Sequence, residues 1–129
     1  MAAPPRILLV GAGHAHMELV RRARRFARAG VSPTLIDPGG FWYSGAAAGV
    51  LSGAEPVDRA FADAADLAAK SGVRMVRGRV ARIDLEAGAA VLDSGAREMF
   101  DLVSLNTGSR AGPAWLIEQG AAPVKPGWN

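Results

Sequence analysis

RILLVGAGHAHMELV, residues Arg6 to Val20, is the stretch whose reading decides the fold. Ile7-Leu8-Leu9-Val10 is a short apolar run closed by glycine, the pattern of a buried strand. Gly11-Ala12-Gly13 turns the chain, and an amphipathic helical pattern starts directly behind it. Strand, GxG turn and helix in that order make a site for a dinucleotide. The first glycine permits the tight turn, and the second lets the backbone approach a pyrophosphate. The new helix then offers unpaired N–H groups at its positive end. His16 replaces the third glycine of the usual GxGxxG. That glycine ordinarily lets helix and strand pack closely, so GxGxxH alone is a weak signal.

The next segment strengthens it. Gly30 reads as a helix stop, and Val31 to Ile36 as a second strand ending in Asp37. An acid about 20 residues beyond the glycines is what binds a ribose diol in this arrangement, and Asp37 stands 24 residues beyond Gly13 (37 − 13). The alternative is a turn-forming aspartate ahead of Pro38-Gly39-Gly40. Strand, glycines, helix, strand and acid together favour nucleotide binding.

Composition frames this reading. The sequence has 129 residues, half of them apolar, which bounds it to one globular domain with a real core. No apolar run approaches the roughly 20 residues that span a bilayer, and Ile7 to Val10 is too short for a signal-peptide core. There is no cysteine, hence no disulfide, thiolate metal site or redox dithiol. This suits a cytoplasmic protein, with a peripheral position on the inner face of the membrane as the alternative. The net charge is +3 and the pI about 10.2. Much of the excess is Arg21, Arg22, Arg24, Arg25 and Arg28, which fall within one arc of a helix. Leu19, Val20, Ala23, Phe26 and Ala27 lie opposite. The arginines therefore read as a solvated helix face, and no nucleic-acid partner is expected.

Beyond Asp37 the sequence enters a Gly/Ala-rich stretch, Phe41 to Gly53, read as a long loop. Trp42, Tyr43 and Ser44 give it an amphipathic rim, and its glycines would let backbone lie against a flat ligand. A mobile surface loop is the bland alternative, although loops of this length are usually functional. Asp58 is the expected cap of a helix reaching Lys70, closed by Ser71-Gly72. From there the period falls to two. Val73 to Val76, Gly78 to Leu85, Ala89 to Leu92 and Glu98 to Leu105 read as strands, with turns at Glu86-Ala87-Gly88 and Asp93-Ser94-Gly95. This predicts a parallel strand and a small antiparallel meander. Phe100 to Leu105 would then return to the main sheet and end in the glycine turn Asn106-Thr107-Gly108-Ser109.

Three segments carry a family resemblance: LLVGAGHAH with Asp37, the YSG loop at Tyr43-Ser44-Gly45, and DLVSLNTGS near the end. On them the chain resembles the N-terminal FAD-binding portion of the two-dinucleotide-binding-domain flavoproteins, the pyridine nucleotide-disulfide oxidoreductase superfamily. The GHAH turn, the YSG loop and the closing PVKP are most similar to a type II NADH dehydrogenase-like group associated with selenide, water dikinase. There YSG is usually followed by Met and Pro-Gly, whereas Ala46-Ala47-Ala48-Gly49 follows here.

The resemblance implies an α/β fold: a Rossmann-like parallel sheet with helices and a small antiparallel meander, incomplete at the C-terminus. Residues 1–112 would be the FAD-binding part, and 113–129 would lead to an NADH-binding domain beyond this sequence. FAD would be the cofactor, with NADH or NADPH as co-substrate in the complete enzyme and a quinone or another electron acceptor as partner. Gly11, Ala12, Gly13 and His14 would hold the pyrophosphate, and Asp37 the AMP ribose. Val80 would face the adenine from the strand after the helix, and Thr107 and Gly108 would lie near the pyrophosphate. Tyr43, Ser44 and Gly45 would approach the ribityl chain and flavin. The fragment alone is expected to be inactive, and no residue is assigned as a catalytic acid or base.

A non-catalytic nucleotide-binding module and a plain NAD(P)-dependent dehydrogenase domain remain as alternatives. In this superfamily the meander marks FAD domains, which argues against the latter. His14 and His16, two apart and so about 200° apart on a helix, read as polar residues at a helix start near phosphate. No metal site is expected.

Overall fold

The computed structural model describes residues 3–108. The described residues divide into two compact units, one reaching to Phe41 and resuming over Ala62–Thr107, the other comprising Trp42–Phe61 with Gly108. In chain order the elements are β1 (Ile7–Val10), α1 (His14–Arg21), α2 (Ala23–Arg28), β2 (Thr34–Asp37), β3 (Gly40–Trp42), α3 (Ala47–Leu51), β4 (Phe61–Asp63) and α4 (Ala64–Ser71). Five strands follow: β5 (Arg74–Arg77), β6 (Val80–Asp84), β7 (Ala89–Leu92), β8 (Arg97–Met99) and β9 (Leu102–Leu105).

The first unit is built on a parallel sheet of order β5-β2-β1-β9. Leu8, Leu9 and Val10 stand opposite Thr34, Leu35 and Ile36 on one side and Val103, Ser104 and Leu105 on the other. Because side chains alternate along a strand, β1 serves two cores. Leu9 packs with Leu35, with Met17 and Val20 of α1, Ala23 of α2, and Ala64 and Ala68 of α4. On the opposite face Leu8, Val10 and Ile36 pack with Ala90, Leu92 and Phe100. Those residues belong to or follow the three-stranded antiparallel sheet β6-β7-β8, the expected meander. A sheet covered on both faces explains why Ile7-Leu8-Leu9-Val10 is apolar without interruption. Both expected meander turns form: Ala87 N–H donates to Asp84 Oδ1 at 3.0 Å, and Gly95 N–H to the Leu92 carbonyl at 2.9 Å.

The second unit holds α3 and two short 3-10 turns, Ser44–Ala46 and Val57–Ala60. Tyr43 N–H donates to the Ala60 carbonyl at 2.7 Å, and the Trp42 and Phe61 rings lie 4.9 Å apart.

Several local expectations are corrected. The Phe41 to Gly53 stretch is not a long loop: it supplies part of β3, a 3-10 turn and α3, because three consecutive alanines favour helix. The helix cap is Asp63 rather than Asp58. Its Oδ1 accepts the Ala65 N–H at 2.7 Å, and Phe61 just upstream is drawn into pairing with β3. Glu98 to Leu105 is two strands in different sheets. Phe100 is buried between them, and the Arg6 carbonyl accepts N–H groups of Asp101 and Leu102, which turns the chain onto the free edge of β1.

The first helix is broken at Arg22, whose N–H is shared between the Glu18 and Leu19 carbonyls. Arg21, Arg22, Arg24, Arg25 and Arg28 are exposed as expected, but so is Ala27. The boundary at 112 and the segment 113–129 lie outside the described residues.

Candidate functional site

The site is built where β1 hands over to α1. Gly11 has φ +91°, and a β-carbon there would stand 2.5 Å from the Asn106 carbonyl oxygen, so both conformation and space require glycine. Its N–H donates to the Ile36 carbonyl at 2.8 Å. A β-carbon on Gly13 would fall inside the Asn106 side-chain amide. The second glycine is thus required by Asn106 whether or not a phosphate approaches.

In the sequence Asn106 reads only as part of the glycine turn after the last strand, with no role of its own. Its N–H donates to the Val10 carbonyl at 2.8 Å, its carbonyl accepts the Gly13 N–H at 3.0 Å, and its Oδ1 accepts the His16 N–H at 3.3 Å. One residue after β9 therefore closes the turn and caps the first turn of α1. The available signal was an Asn standing at the carboxyl end of an apolar strand.

Asp37 is buried, and its carboxylate is shared between two amides. Oδ2 accepts the Ala12 N–H and Oδ1 the Gly39 N–H, each at 2.8 Å. The second bond is the Asx turn of the alternative reading. The first ties the end of β2 to the glycine turn, which that alternative did not include. A carboxylate offers about four lone-pair positions, so two remain for a ligand hydroxyl.

The Gly11, Ala12 and Gly13 N–H groups are each bonded within the protein, to the Ile36 carbonyl, Asp37 and the Asn106 carbonyl. Ala12 is buried, Gly13 half-buried, and His14 and Ala15 exposed. The His14 ring stands edge-on to Phe41 with centroids 4.3 Å apart. His16 does not sit at the phosphate end. It is 1% exposed and points inward, its Nδ1 bonded to the Gly11 carbonyl at 2.7 Å and its Nε2 to Ser104 Oγ at 2.9 Å. This corrects the reading of His16 as a polar residue near phosphate, while His14 stays exposed at the helix start.

The remaining candidates are placed as follows. Val80 begins β6 of the meander, opposite Leu92, and is not on β5, the strand that directly follows α4. Thr107 is exposed and its Cα lies beside Gly11. In the second unit, Gly108 has φ +81°, and Tyr43 folds its ring over Gly45, where a β-carbon would meet it at 2.5 Å. Ser44 opens the 3-10 turn.

Two sets of charges are paired on the surface of the first unit. Arg6 clasps Asp101 through its side chain and its backbone N–H, holding that carboxyl down at about 2. Glu18 is held at about 2 chiefly by Arg21, with Arg22 also bonded to it.

No protein-family model matches the sequence, and no curated protein matches it either. Solved structures do share the fold. The sulfide:quinone oxidoreductase of Aquifex aeolicus superposes with a TM-score of 0.70 at 20% identity, over 81% of this chain and 24% of that one. A ferredoxin reductase from Rhodopseudomonas palustris gives 0.64 at 24% identity, over 82% and 27%. The NADH:rubredoxin oxidoreductase of Clostridium acetobutylicum gives 0.60 at 18%, over 84% and 29%.

The fold is that of an FAD/NAD(P)-binding Rossmann-type domain. These neighbours are pyridine nucleotide-disulfide oxidoreductases, and the likeness covers most of this chain. The chain spans about a quarter of the length of the structures it matches. Among the described residues no helix is long and apolar enough to cross a membrane.

Proposed function

We propose that this chain is the FAD-binding portion of an NAD(P)H-dependent flavin oxidoreductase of the NADH dehydrogenase-like kind. The observation that carries the reading is one of order. Strand, GxG turn and helix run into a second strand whose terminal Asp37 holds the turn, and an antiparallel meander covers the sheet face opposite the helices. The structures that share this fold include enzymes named for NADH, ferredoxin, rubredoxin and sulfide:quinone chemistry. That range supports the general reaction class and leaves a quinone as one candidate acceptor.

The residues present fit the ADP half of such a cofactor. The exposed start of α1, at His14 and Ala15, would turn the favourable end of the helix dipole toward a phosphate. Asp37 has lone pairs left for the ribose hydroxyls. The meander would offer Val80 backbone to the adenine, and Thr107 would border the pyrophosphate. The roles the resemblance gives to Gly108, Tyr43, Ser44 and Gly45 toward the pyrophosphate and flavin belong to the same proposal. When bound, FAD supplies the hydride-accepting centre, and the protein contributes position and electrostatics.

Gly11-Ala12-Gly13 is the single GxG in the sequence. A nicotinamide held against a flavin needs a second such site, and positioning of this kind is worth about 7–11 kcal/mol of barrier. The chain by itself therefore binds the ADP half of the cofactor, holds FAD loosely if at all, and does not turn over NADH. Calorimetry with ADP and FAD tests the binding. NADH absorbance followed with added FAD and a soluble quinone tests the rest. Absence of ADP binding overturns the reading, and turnover well above free FAD overturns the inactivity.

A further inference from the structure

We propose that His16 and Ser104 form a clasp that positions the dinucleotide-binding turn, taking over the place of the third glycine. This rests on the nucleotide reading above. His16 lies two residues inside α1 and is 1% exposed, while Ser104 is on β9, the strand that flanks β1 on the side away from β2. Both ring nitrogens are bonded: Nδ1 to the Gly11 carbonyl at 2.7 Å, Nε2 to Ser104 Oγ at 2.9 Å.

The donor directions follow from the partners. A backbone carbonyl can only accept, so Nδ1 carries the proton and donates to Gly11. In the neutral ring Nε2 is then the acceptor, and the Ser104 hydroxyl donates to it. The chain of bonds runs Ser104 O–H to His16 to Gly11 carbonyl, from β9 through the helix to the first residue of the turn.

Its consequence lies in what the Gly11 carbonyl is part of. The peptide joining Gly11 to Ala12 carries that carbonyl at one end and, at the other, the Ala12 N–H bonded to Asp37. His16 pulls on one side of the peptide plane and Asp37 on the other, which sets the rotation of the turn. The rotation of the turn in turn decides where Gly13 and the first N–H groups of α1 point. With a glycine at position 16 the Gly11 carbonyl would lose this partner, and the helix would close onto the strand instead. The imidazole is thus a spacer with a fixed hydrogen-bond direction. The Gly11 carbonyl fixes that direction, and the Ser104 hydroxyl holds the other end of the ring by donating to Nε2.

Ser104 is the residue to change, since it touches no part of the proposed ligand and its loss leaves no large cavity. Ser104→Ala is expected to weaken ADP binding about three- to tenfold in protein that remains folded, the loss of a hydrogen bond that holds a binding loop. Ser104→Thr, which keeps the hydroxyl, restores it. A role in stability alone would lower the melting temperature of Ser104→Ala and leave the Kd of the folded protein unchanged. Nitrogen-15 NMR of the wild type should show His16 protonated at Nδ1 and not at Nε2. ADP binding equal in Ser104→Ala and wild type, or a His16 ring carrying its proton only on Nε2, overturns the clasp. Wild-type protein that binds no ADP overturns the nucleotide reading and this inference together. The two failures are therefore distinguishable.

Discussion

Asp37 Oδ2 accepts the Ala12 N–H at 2.8 Å, joining the end of the second strand to the middle of the glycine turn across 25 residues of sequence. A single buried carboxylate therefore shapes the turn before any ligand arrives. The same side chain closes its own Asx turn through Gly39. The proposed ribose contact and the loop geometry therefore depend on the same side chain.

Replacing Asp37 tests both. Asp37→Ala leaves the Ala12 N–H without its acceptor in a buried place, a cost of about 1–3 kcal/mol, and should lower the urea midpoint as well as ADP affinity. Asp37→Asn keeps one amide oxygen and should recover part of the stability. It should recover less of the affinity, because the anionic acceptor for the ribose hydroxyls is lost. Equal urea midpoints and equal ADP affinity for wild type and Asp37→Ala would contradict the assignment.

Gly11→Ala should be among the most damaging single changes in the chain. The φ of +91° disfavours any side chain, and the new methyl would press on Asn106 and Thr107. Left-handed backbone and overpacking together cost about 2–4 kcal/mol. Chemical denaturation reads this directly, and a stable Gly11→Ala protein would mean the turn can rearrange.

Asp63 caps α4 through two N–H groups, from Ala65 at 2.7 Å and Asp66 at 3.3 Å. Asp63→Ala should destabilise the fold by about 1 kcal/mol, and Asp58→Ala by much less. Thermal melts of the two variants compare the two candidate caps. A larger loss at Asp58 would reverse the assignment.

Arg6 and Asp101 tie the start of β1 to the approach of β9. The Arg6 guanidinium, aided by its backbone N–H, lowers the Asp101 carboxyl from 3.8 to about 2. A folded-state value below the unfolded one stabilises above the unfolded value, and that contribution fades as pH falls from about 4 toward 2. Wild type should therefore melt higher than Asp101→Asn at pH 7, with the gap closing near pH 2. The ion pair is exposed, so the gap should also shrink in high salt. A gap independent of pH would assign the effect to the backbone turn alone.

The resemblance and the pattern were enough to place β1, the glycine turn, α1 and β2, because each depends on neighbours a few residues away. Four apolar residues in a row, GxG and a helical stripe leave little local choice. The meander was legible for the same reason: Glu86-Ala87-Gly88 and Asp93-Ser94-Gly95 each encode their own turn. The boundaries that failed were decided at a distance. Phe61 belongs to a strand because β3 is there to pair with it, so the helix waits for Asp63. Glu98 to Leu105 divides because Phe100 is drawn into the core beneath Leu8 and Ile36, and because the Arg6 carbonyl collects the N–H groups that follow.

By itself, the sequence determined that a strand, a glycine turn at Gly11 to Gly13 and a helix follow one another, and that Asp37 stands at the next strand end. Only the tertiary structure decided what those glycines and His16 are for. Asn106 and Ser104 lie 90 and 88 residues from His16 along the chain, brought beside β1 by the parallel pairing of β9; Asn106 fills the space above Gly13, and both complete the bonds of His16. Local sequence records propensity and period, which need only neighbours. A buried hydrogen-bond partner is chosen by which strand ends up adjacent, and that depends on how the whole sheet buries its apolar faces.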